Sequence, residues 1–210
     1  DYTITLGDFS QTVRTDGYDP NAFYWYEGFD NYDGSTLPNG FSQPGMGISF
    51  TKTEISGNPA LKYVNEYIPE NSGTSNFSIK GTEPLDFSKG ALLLSYDVTP
   101  QSNLTWLGDG AKSNILIPTL RIGSTEISQL SIIEHGGIKA AYKTAPTAWG
   151  RSAYLTGWEN NTLVADTTVK FQLLLEKEGN KITATQYINE KPVYYTLSDE
   201  AKLASVTVDI

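Results

Sequence analysis

Trp149, Arg151, Tyr154 and Trp158 fall within ten positions of one another, set among Gly150, Gly157, Asn160 and Asn161. Indole and phenol rings present flat faces that stack on flat apolar surfaces, while amides and a guanidinium supply directional hydrogen bonds. A sugar ring needs both, because its CH face is apolar and its rim is hydroxylated. The glycines leave room for a ligand to approach, and the stretch is too poor in aliphatic residues to be good core material. Trp106, in a polar segment before Gly108, is a second candidate. Tyr24-Trp25-Tyr26 is a third. Residues alternate between faces along a strand, so Trp25 or its two neighbours reach a ligand, but not all three. Tyr194-Tyr195 likewise sets one ring on each face. Lys139 and Lys143 lie close to Arg151 in sequence, and proximity in space would suit a ligand carrying carboxylates, as pectin does.

Catalytic chemistry is thinly furnished by comparison. The chain has no cysteine and one histidine, His135. Glycosidases need two carboxylates at a set separation. The nearest pair, Glu176 and Glu178, runs into a turn and reads as solvated surface. A lyase acting on a uronate polymer needs a group to neutralise the carboxylate and a Tyr or His to move a proton. His135, Tyr142, Arg121 and Arg151 are the candidates, although His135 beside Gly136-Gly137 reads first as a turn residue. Nucleophile-elbow, P-loop, dinucleotide and zinc spacings are absent. Oxygen-rich loops suit calcium. Asp16 with Asp19, Asp30 with Asp33, and Asp8 with Asp209 are the candidate sets, against the simpler reading that Asp-Gly and Asp-Pro pairs make turns.

The elements that must position these residues read as strands. Residues 169–176 form a β-rich apolar run, Glu178-Gly179-Asn180 a turn, and residues 181–188 an alternating strand, together a hairpin. A second turn at 189–192 leads to a short strand at 193–196. Residues 202–210 alternate, with Ala204, Val206, Val208 and Ile210 on one side and Leu203, Ser205, Thr207 and Asp209 on the other. Residues 198–203 read as one short turn of helix. Residues 91–99 read as a mostly buried strand, and 114–122 as a strand with Pro118 at an edge or bulge. A hairpin is expected from 126–134 and 137–142, and further strands at 3–6, 23–29, 47–52 and 60–67. Phe50, Phe77, Phe87, Tyr96 and Phe171 read as core. This recurrence of strand and turn, with no long amphipathic helix and no dividing linker, predicts one all-β domain over 1–210, a sandwich or barrel.

At 210 residues the chain buries a core without disulfides. Its net charge of −9 argues against a nucleic-acid partner, which requires a basic stripe. No apolar run is long enough for a membrane-inserted helix. The start at Asp1, without Met, reads as a segment excised from a longer secreted protein, with neighbouring domains covalently attached.

Glu27-Gly28-Phe29-Asp30, then Gly57-Asn58-Pro59-Ala60-Leu61-Lys62, then Gly90-Ala91-Leu92-Leu93-Leu94-Ser95-Tyr96-Asp97-Val98 are followed by Val169-Lys170-Phe171-Gln172-Leu173 and Ala184-Thr185-Gln186-Tyr187-Ile188-Asn189. This order resembles the concanavalin-like (laminin-G-like) jelly-roll modules of secreted bacterial polysaccharide-degrading enzymes. The resemblance implies two stacked antiparallel sheets, a polysaccharide partner, an extracellular location and a structural calcium ion. In modules of that kind the terminal strands pair and acidic residues on them share one calcium, which would place Asp8 and Asp209 together. Fold does not fix function, so the expected function, a non-catalytic carbohydrate-binding module, stands beside two alternatives. These are a polysaccharide lyase acting on a uronate polymer and a structural or adhesive domain of a cell-surface protein.

Overall fold

The computed structural model describes residues 2–6, 9–13, 27–38, 40–42, 48–65, 85–88, 90–101, 119–122, 125–134, 137–145, 148–154, 156 and 164–210. Every regular element among them is a β-strand, and every strand pairing is antiparallel. The chain divides into two compact units, Asp1–Leu85 and Asp86–Ile210.

The first unit holds two hairpins, β1 (Tyr2–Leu6) with β2 (Phe9–Val13) and β3 (Ile48–Ile55) with β4 (Asn58–Asn65). The turn of the second hairpin is Ser56-Gly57, both with positive φ, 53° and 83°. That is the hand of a type I′ turn, which matches the twist of the flanking strands. Phe50 and Tyr63 are cross-strand partners with ring centroids 5.8 Å apart. The strand expected over 23–29 is not present at Glu27–Phe29. This stretch is irregular, and Phe29 has φ of 60°.

The second unit carries the remaining strands. They are β5 (Leu92–Val98), β6 (Thr119–Ile122), β7 (Thr125–Glu134), β8 (Gly137–Ala145), β9 (Ala148–Tyr154), β10 (Val169–Glu178), β11 (Lys181–Ile188), β12 (Lys191–Pro192), β13 (Tyr194–Leu197), β14 (Glu200–Leu203) and β15 (Ser205–Asp209). One sheet runs β12-β11-β10-β5, with β15 also on β11, and another runs β6-β7-β8-β9. β13 and β14 form a hairpin alongside β9, and β15 passes close to β7 and β8. The outer edge of β11 is shared, with β15 covering Lys181 to Thr185 and β12 covering Tyr187 and Ile188. Between them the Gln186 N–H donates to the Ala204 carbonyl, and the Gln186 carbonyl accepts from the Val193 N–H.

The β10–β11 hairpin forms as its sequence predicts. Glu178 pairs with Lys181 across Gly179-Asn180, and only Gly179 is left-handed, the pattern of a type II′ turn. The inner face of β10 is Val169, Phe171, Leu173 and Leu175, with Phe171 0% exposed. Leu173 and Leu175 pack with Ala184 and Val206, and Phe87, Leu92 and Leu94 close over them. Tyr96 stacks on Phe171, its register partner, at 5.6 Å and 17°. Burial lifts the Tyr96 phenol above its ordinary pKa. Its hydroxyl and the Gln186 Oε1 are buried polar atoms without a partner among the described residues.

Two expectations are corrected here. The strand over 91–99 is not mostly buried. β5 alternates half-buried and exposed residues, and Leu93 is 56% exposed on its open face. The helical turn expected at 198–203 is a tight turn at Ser198-Asp199 followed by β14. Both turn residues are left-handed, at 53° and 67°, although neither is glycine.

Candidate functional site

An open depression of ≈ 470 Å³ lies where β11, β12, β13 and β14 meet Thr156. Ile188 and Val193 give it an apolar base, both buried. Tyr194 and Pro192 supply exposed apolar surface, and Lys191, Asn189 and Thr156 supply polar groups. The adjacent tyrosines divide between faces as their alternation predicts. Tyr194 is 45% exposed, whereas Tyr195 is 7% exposed.

The wall is held by two local devices. The Thr156 N–H donates to the Tyr194 carbonyl at 2.6 Å, and the hydroxyls of Thr156 and Thr196 lie 3.4 Å apart. This fastens the segment just after β9 to β13. On the other side Asn189-Glu190 forms the β11–β12 turn, with φ of 50° and 66°. A left-handed glutamate costs about 1 kcal/mol relative to an ordinary backbone conformation. Residues of β10 hold it there. The Asn189 Oδ1 accepts from the Lys170 N–H, and the Asn189 N–H donates to the Lys170 carbonyl, both at 2.9 Å. The Glu190 N–H donates to the Gln172 Oε1 at 3.2 Å, and the Lys170 ammonium donates to the Glu190 carboxylate at 2.9 Å. That hydrogen bond raises the Lys170 pKa above its ordinary value.

Lys191 is the one charged residue among the described lining residues. Two nearby carboxylates are engaged elsewhere, Glu190 by Lys170 and Glu200 by Lys202 at 3.7 Å.

Trp149, Arg151 and Tyr154 all belong to β9, whose register with β8 sets Trp149 opposite Lys143, Arg151 opposite Tyr142 and Tyr154 opposite Lys139. The basic residues that the sequence sets near this aromatic stretch are therefore its cross-strand partners. The ladder shifts register between Tyr142 and Lys143 and again between Lys143 and Ala145. Such irregularities re-aim the residues of a strand. Trp158, Trp106, Trp25, His135, Asp8, Asp16 and Asp19 lie outside the described residues. The depression itself draws on Tyr194, Lys191 and Thr156, which the sequence offers only through the alternation at Tyr194-Tyr195.

Among the described residues no three acidic or imidazole side chains converge as a metal site. Asp209 is exposed on β15, and its register partner is Lys181, a cation. Asp33 serves its own turn. Its Oδ1 accepts from the Ser35 N–H and hydroxyl and from the Thr36 N–H, which hold its pKa down at about 2. Glu176 and Glu178 are solvent-exposed, as expected of a pair leading into a turn.

No protein-family model matches the chain, and no match is found among curated proteins or solved structures.

Proposed function

We propose that this chain is a non-catalytic carbohydrate-binding module of a larger secreted protein, built as a two-sheet jelly roll. The observation that carries the reading is the exposed Tyr194 ring beside an open depression with Lys191, Asn189 and Thr156 on its wall. A half-exposed ring next to amide, hydroxyl and ammonium groups matches the two-sided chemistry of a sugar. β9, with Trp149, Arg151 and Tyr154, runs next to β13 and would extend the binding surface along a polymer. Affinity electrophoresis against xylan, pectin, β-glucan and alginate tests the reading. Retardation that Tyr194→Ala weakens supports it, and free migration in every gel rejects it. The calcium ion belongs to this proposal through the family resemblance. A rise in Tm with added calcium, reversed by a chelator, supports it, and an unchanged Tm rejects it.

A second reading rests on one pairing. Arg151 and Tyr142 are cross-strand partners. An arginine to neutralise a uronate carboxylate and a tyrosine to move a proton are the two roles a lyase needs. Ultraviolet absorbance of an unsaturated uronate product decides this, and a flat trace on pectin and alginate removes the lyase.

A further inference from the structure

We infer that the ligand of this depression is an anionic glycan, one bearing uronate carboxylates, and that Lys191 is the residue that selects it. The inference rests on the carbohydrate-binding reading and specifies its substrate class. The chain carries a net charge of −9, so a surface chosen at random would repel a polyanion. The depression departs from that average. Its one charge among the described lining residues is the exposed Lys191. The carboxylate next to Lys191 in sequence, Glu190, is tied by Lys170, and Glu200 on β14 pairs with Lys202. No described carboxylate pairs with Lys191, which leaves its ammonium available to a ligand.

The neighbouring sheet adds to the same sign. Strands β8 and β9 place Arg151 and Lys143 on neighbouring rungs of one ladder and Lys139 three rungs from Arg151, and β9 adjoins β13. A polymer lying from Tyr194 towards β9 would pass from one basic position to the next. Tyr194 offers a platform common to all sugars, and Lys191 adds a preference for those with a carboxylate.

Isothermal titration of the whole chain with galacturonate and guluronate oligomers, and with neutral xylo- and gluco-oligomers of equal length, tests this. The uronates are expected to bind at least about tenfold more tightly at low salt, the size of one charge-assisted hydrogen bond. That advantage should shrink as salt screens the pair. Lys191→Gln should remove most of the advantage while leaving neutral-sugar binding intact, whereas Tyr194→Ala should weaken both. Circular dichroism of each variant confirms folding. Equal affinity for neutral and acidic oligomers overturns the inference and leaves the carbohydrate reading standing. A uronate preference that survives Lys191→Gln overturns the assignment to this depression. Binding of no oligomer overturns the carbohydrate reading itself.

Discussion

Along β10, Val169, Phe171, Leu173 and Leu175 alternate with Lys170, Gln172, Leu174 and Glu176. The first set is buried in the core, and the second is half-buried or exposed. Residue type separates the faces only in part, because Leu174 lies on the open side. There it joins Leu93, Gln172, Tyr187 and Glu190 around a shallow hollow of ≈ 280 Å³. The inner face secures the sheet. The outer face, through Lys170 and Gln172, grips the Asn189-Glu190 turn and so shapes a wall of the depression. One strand therefore supports stability on one side and the site on the other, and substitutions on its two faces should separate those roles.

The largest separation should come from truncation. Phe171→Ala is expected to cost about 3–5 kcal/mol by emptying a fully buried position, whereas Leu174→Ala should cost less than half of that. Urea denaturation of both variants checks the difference, and equal losses would mean that the outer face is as closed as the inner. Tyr96→Phe comes next. It removes a buried hydroxyl with no described partner, so the variant should be as stable as the parent or more stable by up to about 1 kcal/mol. A clear loss on thermal unfolding would reveal a partner for that hydroxyl.

The turns give a smaller contrast. Asp199→Gly should stabilise by about 0.5–1 kcal/mol by relieving a left-handed aspartate. Glu190→Gly should gain less, because it also deletes the ion pair with Lys170, a partly exposed pair of the kind worth under about 1 kcal/mol. Equal gains would show that the ion pair contributes nothing to the turn. The smallest effect is pH-dependent. The Lys170 pKa is raised in the folded chain by Glu190. Its contribution is thus complete below the unfolded lysine value of about 10.4 and is lost as pH rises through the folded value. Subtracting the alkaline stability profile of Lys170→Met should isolate this decline, and a flat difference would discount the pair.

The sequence made the β10–β11 hairpin legible because Gly179-Asn180 is a strong turn signal between two runs of strand period. It misread residues 198–203, because Ser198-Asp199 adopts a left-handed pair that local preference disfavours and the hairpin context imposes. It also misread β5. Three consecutive leucines look buried on both faces, yet burial follows what covers each face, and Leu93, on the open face of β5, stays 56% exposed. The aromatic and basic character of β9 was legible by composition. The depression was not, since strand pairing assembles it from Thr156, Lys191 and Tyr194, which no local pattern joins.

Asn189-Glu190 and Ser198-Asp199 also bear on the order in which this unit assembles. An unfolded chain seldom visits left-handed conformations at Glu or Asp, so neither turn is a ready nucleus. Gly179 carries no such penalty, and the hairpin it closes lies at the centre of the sheet. Folding should start there, and the β11–β12 turn should close only after Lys170 and Gln172 have taken their places on β10. By the same logic the turn reopens at lower cost than the core. That wall of the depression would then loosen and reset while Phe171 and Leu173 remain packed, with amide exchange fast at Lys191 and slow at Leu173.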